Sequence, residues 1–287
     1  MGLRLPLLRF RSDVMDSFAR ANRFNWDNRA ELHTTDEAHR YYPIDRVLAG
    51  GLSLTALEKR EVGNRIAGKD VAHLQCHIGL DTISLKHLGA KSVTGLDFSP
   101  KALAAARRFA AQAGAEVSFV EASVYDAVAA LDDYYDLVYV TWGTTIWLDD
   151  IFSWAKVVAN LLRPGGKLYF LDGHPTMFQC GRKTDRPGLL LDWRTPPQAP
   201  LEWHDTHTYT GDERPLTHRL NFEWIHPLSD VINALIASDM TIDFLNEHPI
   251  LGWKEFPYMV EAGEGLYALP DGMTKIPLSV SIGATKR

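Results

Sequence analysis

With 287 residues, 46% of them apolar and 23% charged, the chain is long enough to bury a sizeable core as one large or two small domains, and it reads as soluble and globular. A formal charge of −6 argues against a polyanionic partner, because nucleic-acid affinity comes largely from phosphate neutralisation by Lys and Arg; no nucleic acid is expected. Cys76 and Cys180 are too few for a disulfide framework, and MGLRLPLLRF (1–10) holds only a short apolar run broken by Arg4 and Pro6, so no export or membrane segment is expected and a reducing cytoplasm is.

In chain order, Val14, Met15, Phe18, Ala19 and Phe24 suit a short amphipathic helix over 13–24, and a further polar helical stretch runs to about Arg65. From Lys69 short apolar runs alternate with helices, the mark of a parallel sheet covered on both faces. VAHLQC (71–76), SVTGLD (92–97), VSFVEA (117–122), DLVYVTW (136–142) and KLYFLD (167–172) are the first five strands. Between them lie helices over 81–88, stopped by Gly89, from Ser99 as N-cap and Pro100 at the first helical position to Gly114, and over 152–162. The turn RPGG (163–166) leads into the fifth strand. Residues 173–224 break the alternation: GRKTDRPG and RTPPQAP are rich in breakers, and WHDTHTYTGDERP suggests a hairpin or extended excursion. LSDVINALIASDM (228–240) is a helix, TIDFLNEH (241–248) a strand and IPLSVSIGATK (276–286) the last strand.

The fold class expected is therefore α/β: a Rossmann-like, doubly wound, seven-stranded sheet, mostly parallel with an antiparallel last strand, its terminal pair of strands joined by a hairpin-like loop into an antiparallel edge, plus an N-terminal helical lid. The division expected is a lid or substrate segment over 1–68 and a sheet domain over 69–287, whose insertion 173–224 lies above the carboxyl ends of the strands. Such sheets bind ligands there.

HLQCHIGLDT (73–82) holds the turn after the first strand. Gln75, His77 and Gly79 occupy the three positions of a G-x-G-x-G spacing, and only the last is glycine. Asp97, eighteen residues beyond Gly79 at the end of the second strand, is placed to accept bonds from both hydroxyls of a ribose. His73, Cys76 and His77 are all zinc-binding residue types, yet neighbouring side chains on a strand point to opposite faces and no second cluster supplies further ligands, so no metal is expected. Cys76 reads as a small buried packing residue.

HLQCHIGLDT, VTGLDFSPKALAAAR (93–107), YDLVYVTWG (135–143) and LLRPGGKLYFLDGHP (161–175) together resemble the class I S-adenosylmethionine-dependent methyltransferases, the LRPGG turn most tellingly. More narrowly, the chain is similar to a bacterial small-molecule subgroup whose first motif reads Leu-Gln-Cys-His-x-Gly-x-Asp-Thr, with further likeness in NRAELHTT (28–35), VINALI (231–236) and EHPILGW (247–253). Natural-product tailoring enzymes, including indole C-methyltransferases, are similar in kind. The resemblance implies S-adenosylmethionine as cofactor and S-adenosylhomocysteine as product. It implies that the backbone of Gln75, Cys76 and Gly79 approaches the methionine half, that Asp97 holds the ribose, and that Phe98 packs on the adenine. Ser123 and Val124 would meet the adenine edge, and Thr141 and Trp142 the methionine and sulfonium. The Gln75 side chain would hydrogen-bond the cofactor carboxylate or ammonium.

For the chemistry, His174 after the fifth strand is the first candidate general base, with His226 and Tyr42 beside it. Tyr41 and Tyr42 are placed to close a lid, and Tyr41, Trp147, Trp203 and Trp253 to wall a substrate pocket. The reaction expected is in-line methyl transfer to a small, aromatic or apolar metabolite through carbon, nitrogen or oxygen. A nicotinamide-dependent oxidoreductase would require a G-x-G-x-x-G loop, which is missing. A binding protein of the same fold, or an RNA methyltransferase, are the other rivals, the last disfavoured by charge.

Overall fold

The computed structural model describes residues 13–35, 37–182 and 184–287. The decapeptide read for export signals lies outside them. Seven strands, β1 (Asp70–Leu74), β2 (Ser92–Asp97), β3 (Ser118–Glu121), β4 (Tyr135–Thr141), β5 (Leu162–Gly173), β8 (Met240–His248) and β12 (Ser279–Lys286), form one sheet in the order β3-β2-β1-β4-β5-β12-β8. The pairs among β1 to β5 are parallel, and β12 runs antiparallel to both its neighbours. The antiparallel strand is thus the last in sequence, and with β8 outermost it makes the antiparallel edge. Burial fits this order: six successive residues of β12 are buried, as in an interior strand, whereas most of β8 is partly or fully exposed. The RPGG turn is likewise drawn into β5, where the register against β4 shifts between Tyr135 and Leu137.

Helices cover both faces. On one, α6 (Ala127–Leu131), α7 (Ile151–Leu161) and α9 (Leu228–Ala237) bury Trp154, Leu161 and Leu235 against Val138, Phe170 and Ile282. On the other, α3 (Ala56–Glu61), α4 (Leu80–His87) and α5 (Pro100–Gln112) cover β1 and β2, and α2 (Ile44–Leu48) packs Ile44 and Val47 against Ile83 and Phe109. Ser99 caps α5 as its position foretold, its hydroxyl accepting from the Ala102 N–H at 3.1 Å. The order reverses between β1 and β4, so their carboxyl ends diverge and open a crevice there.

Three additions sit over that end. A short α8 (Pro175–Phe178) and the hairpin β6 (Leu201–His204) with β7 (Leu220–Glu223) make up the ordered parts of the insertion. Between β8 and β12, where a simple hairpin loop was expected, β9 (Ile250–Leu251), β10 (Val260–Glu261) and β11 (Tyr267–Ala268) form a small sheet of their own.

The N-terminal helix α1 (Asp13–Leu32) extends eight residues past its expected end, and Phe24, read as part of its apolar stripe, is 45% exposed. Phe18 of that stripe does pack on Phe222, ring centroids 4.5 Å apart, but much of the buried face is polar. Asn22, Asn25 and Asn28, spaced by three, reach the backbone of the hairpin. Asn22 donates to the Phe222 carbonyl at 2.8 Å and accepts from its N–H at 2.7 Å, Asn25 donates to the His218 carbonyl at 2.7 Å, and Asn28 accepts from the Thr217 N–H at 2.6 Å. These amides satisfy backbone groups that a strand partner would otherwise take. Replacing Asn22 with Ala strands two buried backbone groups and is expected to lower unfolding free energy by about 2–4 kcal/mol. Denaturant unfolding of the variant measures this, and a midpoint like the parent's would show that the ladder does not hold α1.

Candidate active site

The loop after β1 answers how non-glycine residues occupy glycine positions. Gln75 and His77 adopt φ of 55° and 50°, and Gly79 76°, so two side-chain-bearing residues sit in the left-handed region at a cost of about 1–2 kcal/mol each. Each is held there by a side chain or by its own N–H. Gln75 Nε2 donates to the Thr144 carbonyl at 2.9 Å, and the His77 N–H donates to Asp97 Oδ2 at 2.9 Å. Gly79 has no such latitude: a Cβ there would lie 2.6 Å from Ala106 Cβ and 2.9 Å from the Phe119 ring. Strain held by surrounding contacts in this way is typical of ligand clamps.

Asp97, 6% exposed, ends β2 and accepts from both loops beside it, from the His77 N–H and, through Oδ1, from the Ser99 N–H at 2.9 Å. Burial pushes its pKa up to about 6, against the pull of those backbone donors. Across the crevice, Trp142 and Gly143 take φ of 55° and 74° after β4. That turn is fixed from below by Asp172 at the end of β5, fully buried, which accepts from the Thr144 and Thr145 N–H groups at 3.0 and 2.8 Å and from both threonine hydroxyls. Nothing in the local sequence announces Asp172 as the anchor of a loop thirty residues earlier.

These elements enclose a cavity of about 880 Å³. Every residue assigned above to the cofactor lines it: Gln75, Cys76 and Gly79 from the first loop, Asp97 and Phe98 after β2, Ser123 and Val124 after β3, and Thr141 and Trp142 after β4. Tyr41, Tyr42, Trp147 and Trp253 also reach it. Cys76 is buried and burial raises its thiol pKa, which keeps it protonated and suits packing. Among the described residues, no group of three His, Cys, Asp or Glu side chains is arranged to hold a metal ion.

Three expected site residues do not line the cavity. His174 is the N-cap of α8: its Nδ1 accepts from the Thr176 N–H at 3.1 Å and its Nε2 lies 2.9 Å from Glu247, so both nitrogens are turned to structural partners. His226 donates from Nε2 to the Leu148 carbonyl at 2.7 Å and tethers the chain after β4. Trp203, on the more buried side of β6, stops short of the cavity, and the Arg182 guanidinium, which does line it, lies 4.6 Å above its ring. A place just after a strand tells which end of the sheet a residue occupies, not where its side chain turns.

In their stead the cavity recruits residues from distant segments. Trp26 and Arg29 of α1 line it beside His77, whose Nε2 is 3.0 Å from His33 Nδ1. Burial lowers both imidazole pKa values, His77 to about 3, so both are neutral near pH 7. The Tyr42 hydroxyl lies 2.8 Å from that of Tyr209. Arg182 binds Glu223 through paired contacts of 2.7 and 2.9 Å and Glu255 at 2.8 Å, all three on the cavity wall. Glu58, buried, and Asp81, partly buried, contribute carboxylates. HLQCHIGLDT contained Asp81, and NRAELHTT contained Arg29 and His33, but the sequence does not indicate that they meet.

A seven-stranded sheet with one antiparallel strand next to its edge, a strained loop after β1 and an acid ending β2 define the fold of class I S-adenosylmethionine-dependent methyltransferases. Residues 71–166, about a third of the chain, match the family model described as a methyltransferase domain. Among curated proteins, a ubiquinone biosynthesis O-methyltransferase from Nitrosospira multiformis is 33% identical over 106 residues, covering 37% of this chain and 44% of the relative. Another, from Cronobacter sakazakii, is 28% identical over 214 residues, covering 68% of this chain and 80% of the relative. This chain therefore spans less than half the length of the first. Among solved structures, an S-adenosylmethionine-dependent methyltransferase from Mesorhizobium loti superposes with a TM-score of 0.53 at 18% identity, covering 80% of this chain and 98% of its own, a likeness of fold.

Proposed function

We propose that the chain transfers the methyl group of S-adenosylmethionine to a small, aromatic or apolar metabolite. The observation that carries this reading is the meeting, in one cavity, of the Gln75-to-Gly79 loop, Asp97 and an aromatic roof from Tyr41, Trp147 and Trp253. The residues present fit the cofactor. Asp97 keeps lone pairs for ribose hydroxyls, and Gln75 Oε1 is a buried acceptor without a hydrogen-bond partner. When bound, S-adenosylmethionine supplies a methyl group on a strongly electrophilic sulfonium.

In this reading the backbone of Gln75, Cys76 and Gly79 holds the methionine half and Asp97 the ribose. Phe98, Ser123 and Val124 surround the adenine, and Thr141 and Trp142 flank the methionine. Residues 1–68 and the insertion 173–224 act as the lid that excludes water and aligns the acceptor, which is the larger part of catalysis for an already reactive donor. The names of the two curated relatives favour an oxygen acceptor, and an acceptor hydroxyl needs a base. Burial pushes the Tyr42 pKa well above its ordinary value, which makes it a hydrogen-bond donor that orients the acceptor. The neutral His77, hydrogen-bonded to His33, is too weakly basic to serve as that base and forms a polar part of the wall that positions the acceptor. A carbon acceptor such as an indole ring would use the same pair.

A charge of −6 supports a small molecule over RNA as acceptor. Among the described residues no helix is long and apolar enough to cross a membrane, and Cys76 and Cys180 are free, which supports a cytoplasmic setting.

Thermal unfolding with S-adenosylmethionine, S-adenosylhomocysteine and NAD in parallel tests the cofactor. Either adenosyl ligand at 100 times its Kd adds about 2.7 kcal/mol. Stabilisation by NAD alone would favour the oxidoreductase. Turnover to S-adenosylhomocysteine with a panel of phenols, indoles and aryl amines tests transfer, and cofactor binding without turnover on any acceptor would favour a binding protein.

A further inference from the structure

The three additions over the crevice meet on one side chain that the assignment above leaves without a task. Arg182, just past α8, donates from Nη2 to both oxygens of Glu223 at the end of β7, at 2.7 and 2.9 Å, and from Nε to Oε1 of Glu255, between β9 and β10, at 2.8 Å. One guanidinium thus faces two carboxylates on the cavity wall. Among the described residues, the salt bridges of Glu223 and Glu255 are with Arg182 alone, and the neighbouring Arg29 is taken by Asp205 at 2.5 Å. These two arginines and three acids leave one negative charge in surplus. Glu223 is only 3% exposed, and burial, with Glu255 and Asp205 nearby, raises its pKa despite Arg182. Tying the additions together needs one carboxylate for the guanidinium; the second is costly in a buried place unless another cation joins it.

Aromatic rings surround the surplus charge. Trp253 Nε1 donates to Glu255 Oε2 at 2.6 Å, which fixes the indole beside the carboxylate. Burial, then the nearby Tyr209, Tyr267 and Glu255, push the Tyr41 pKa well above its ordinary value, so Tyr41 stands close to Tyr267 and to the same carboxylate. Trp253, Tyr41 and Tyr267 all line the cavity. Carboxylates set among aromatic faces suit an alkylammonium, whose N–H bonds go to the acids while the rings attract the rest of the cation. An anionic group would be repelled there.

We propose that Glu223 and Glu255, bridged by Arg182 and walled by Trp253 and Tyr41, bind a protonated amine carried by the methyl acceptor, which makes the substrate class aromatic alkylamines. This rests on the methyltransferase reading and narrows its acceptor. A protonated amine has no lone pair with which to attack the sulfonium methyl group, so it anchors the molecule and a different atom accepts the methyl.

Calorimetric titration of the full chain, first saturated with S-adenosylhomocysteine, tests this with two pairs of ligands that differ in the charge of the side chain: tryptamine against indolepropionate, and tyramine against hydroxyphenylpropionate. In at least one pair the amine is expected to bind roughly tenfold or more tightly than the acid. Glu255→Gln, which keeps an acceptor for Trp253 and Arg182, should bring that ratio below about threefold and leave S-adenosylhomocysteine affinity within about twofold, and Glu223→Gln should do the same. The parent's own preference needs no substitution, so it tests the proposal even where a variant fails to fold. Equal binding of amine and acid, tighter binding of the acid, binding of none of the four, or a ratio kept in both folded variants would overturn the amine site and leave the methyltransferase reading standing on S-adenosylhomocysteine. A parent chain that does not bind S-adenosylhomocysteine would overturn both.

Discussion

Gly79→Ala is expected to lower the melting temperature by roughly 5–15 °C and to remove measurable S-adenosylhomocysteine binding. Two costs combine. Alanine at φ 76° carries a left-handed penalty of about 1–2 kcal/mol, and its Cβ, 2.6 Å from Ala106 and 2.9 Å from Phe119, adds an overpacking cost of about 1–3 kcal/mol. For a chain of this size each kcal/mol moves the midpoint by about 2–4 °C. Relief requires the loop to shift away from α5, and the His77 N–H that bonds Asp97 lies two residues away, so the displacement falls on the cofactor side. Gly114→Ala separates the two costs. Gly114 has φ 62° but open space around its Cβ position, far from the cavity, so the melting loss should be only that of the left-handed term and binding should be unchanged. A Gly79→Ala protein that melts and binds like the Gly114→Ala one would show that the packing of Gly79 plays no part.

The contrast between Gly79 and its neighbours bears on what the sequence reveals. The G-x-G-x-G spacing locates the loop even though Gln75 and His77 have replaced its first two glycines, because the backbone conformation has persisted without them. Their side chains are anchored on Thr144 and packed against His33 and Trp26, and those contacts offset the strain. Only the position where a Cβ collides with α5 still requires glycine. Sequence spacing reports the conformation, and the density of neighbours decides which residue each position tolerates.

The five parallel strands and their helices were legible because each is encoded within ten or so residues by burial period, caps and turns. Asp97 was legible for the same reason, being the last residue of a strand. The roof was not. The asparagine ladder of α1 has meaning only when residues 217–222 lie beside it, and Glu58, Asp81 and Trp142 meet from three separate elements. Which of β8 and β12 lies outermost depends on which strand is more fully buried, a difference of a few polar residues in DFLNEH that alternation alone does not rank. His174 was assigned by its place after a strand and His226 as a weaker histidine candidate, and both are turned away by partners remote in sequence.

Asp97→Asn is expected to weaken 5′-methylthioadenosine about 10- to 100-fold, because two charge-assisted hydrogen bonds to ribose hydroxyls become neutral ones. The pH dependence carries the more specific signature. Burial holds Asp97 near pKa 6, against an ordinary value of 3.8. The groups facing it are the N–H donors of His77 and Ser99, the Cys76 thiol and Asp27, and His77, with its pKa near 3, stays neutral through this range. Ribose hydroxyls are bound by the ionised form, so affinity for 5′-methylthioadenosine should fall about tenfold per unit as pH drops below 6 and level off above it. This ligand carries the adenosine and the sulfur but no amino-acid moiety, so the profile reports on the nucleoside end of the site. Stability of the ligand-free chain runs the other way. The folded state holds the Asp97 proton more tightly than the unfolded one, so this contribution to stability is full below about pH 4 and is lost as pH rises through 6: about 2 kcal/mol of a total of about 3 kcal/mol goes between pH 4 and 6, and the loss is complete by about pH 7. Asp97→Asn should flatten both curves, giving a protein that binds poorly at every pH and no longer loses this stability between pH 4 and 6. A parent profile with no inflection near 6, or an Asn variant that retains one, would mean that Asp97 does not hold the ribose.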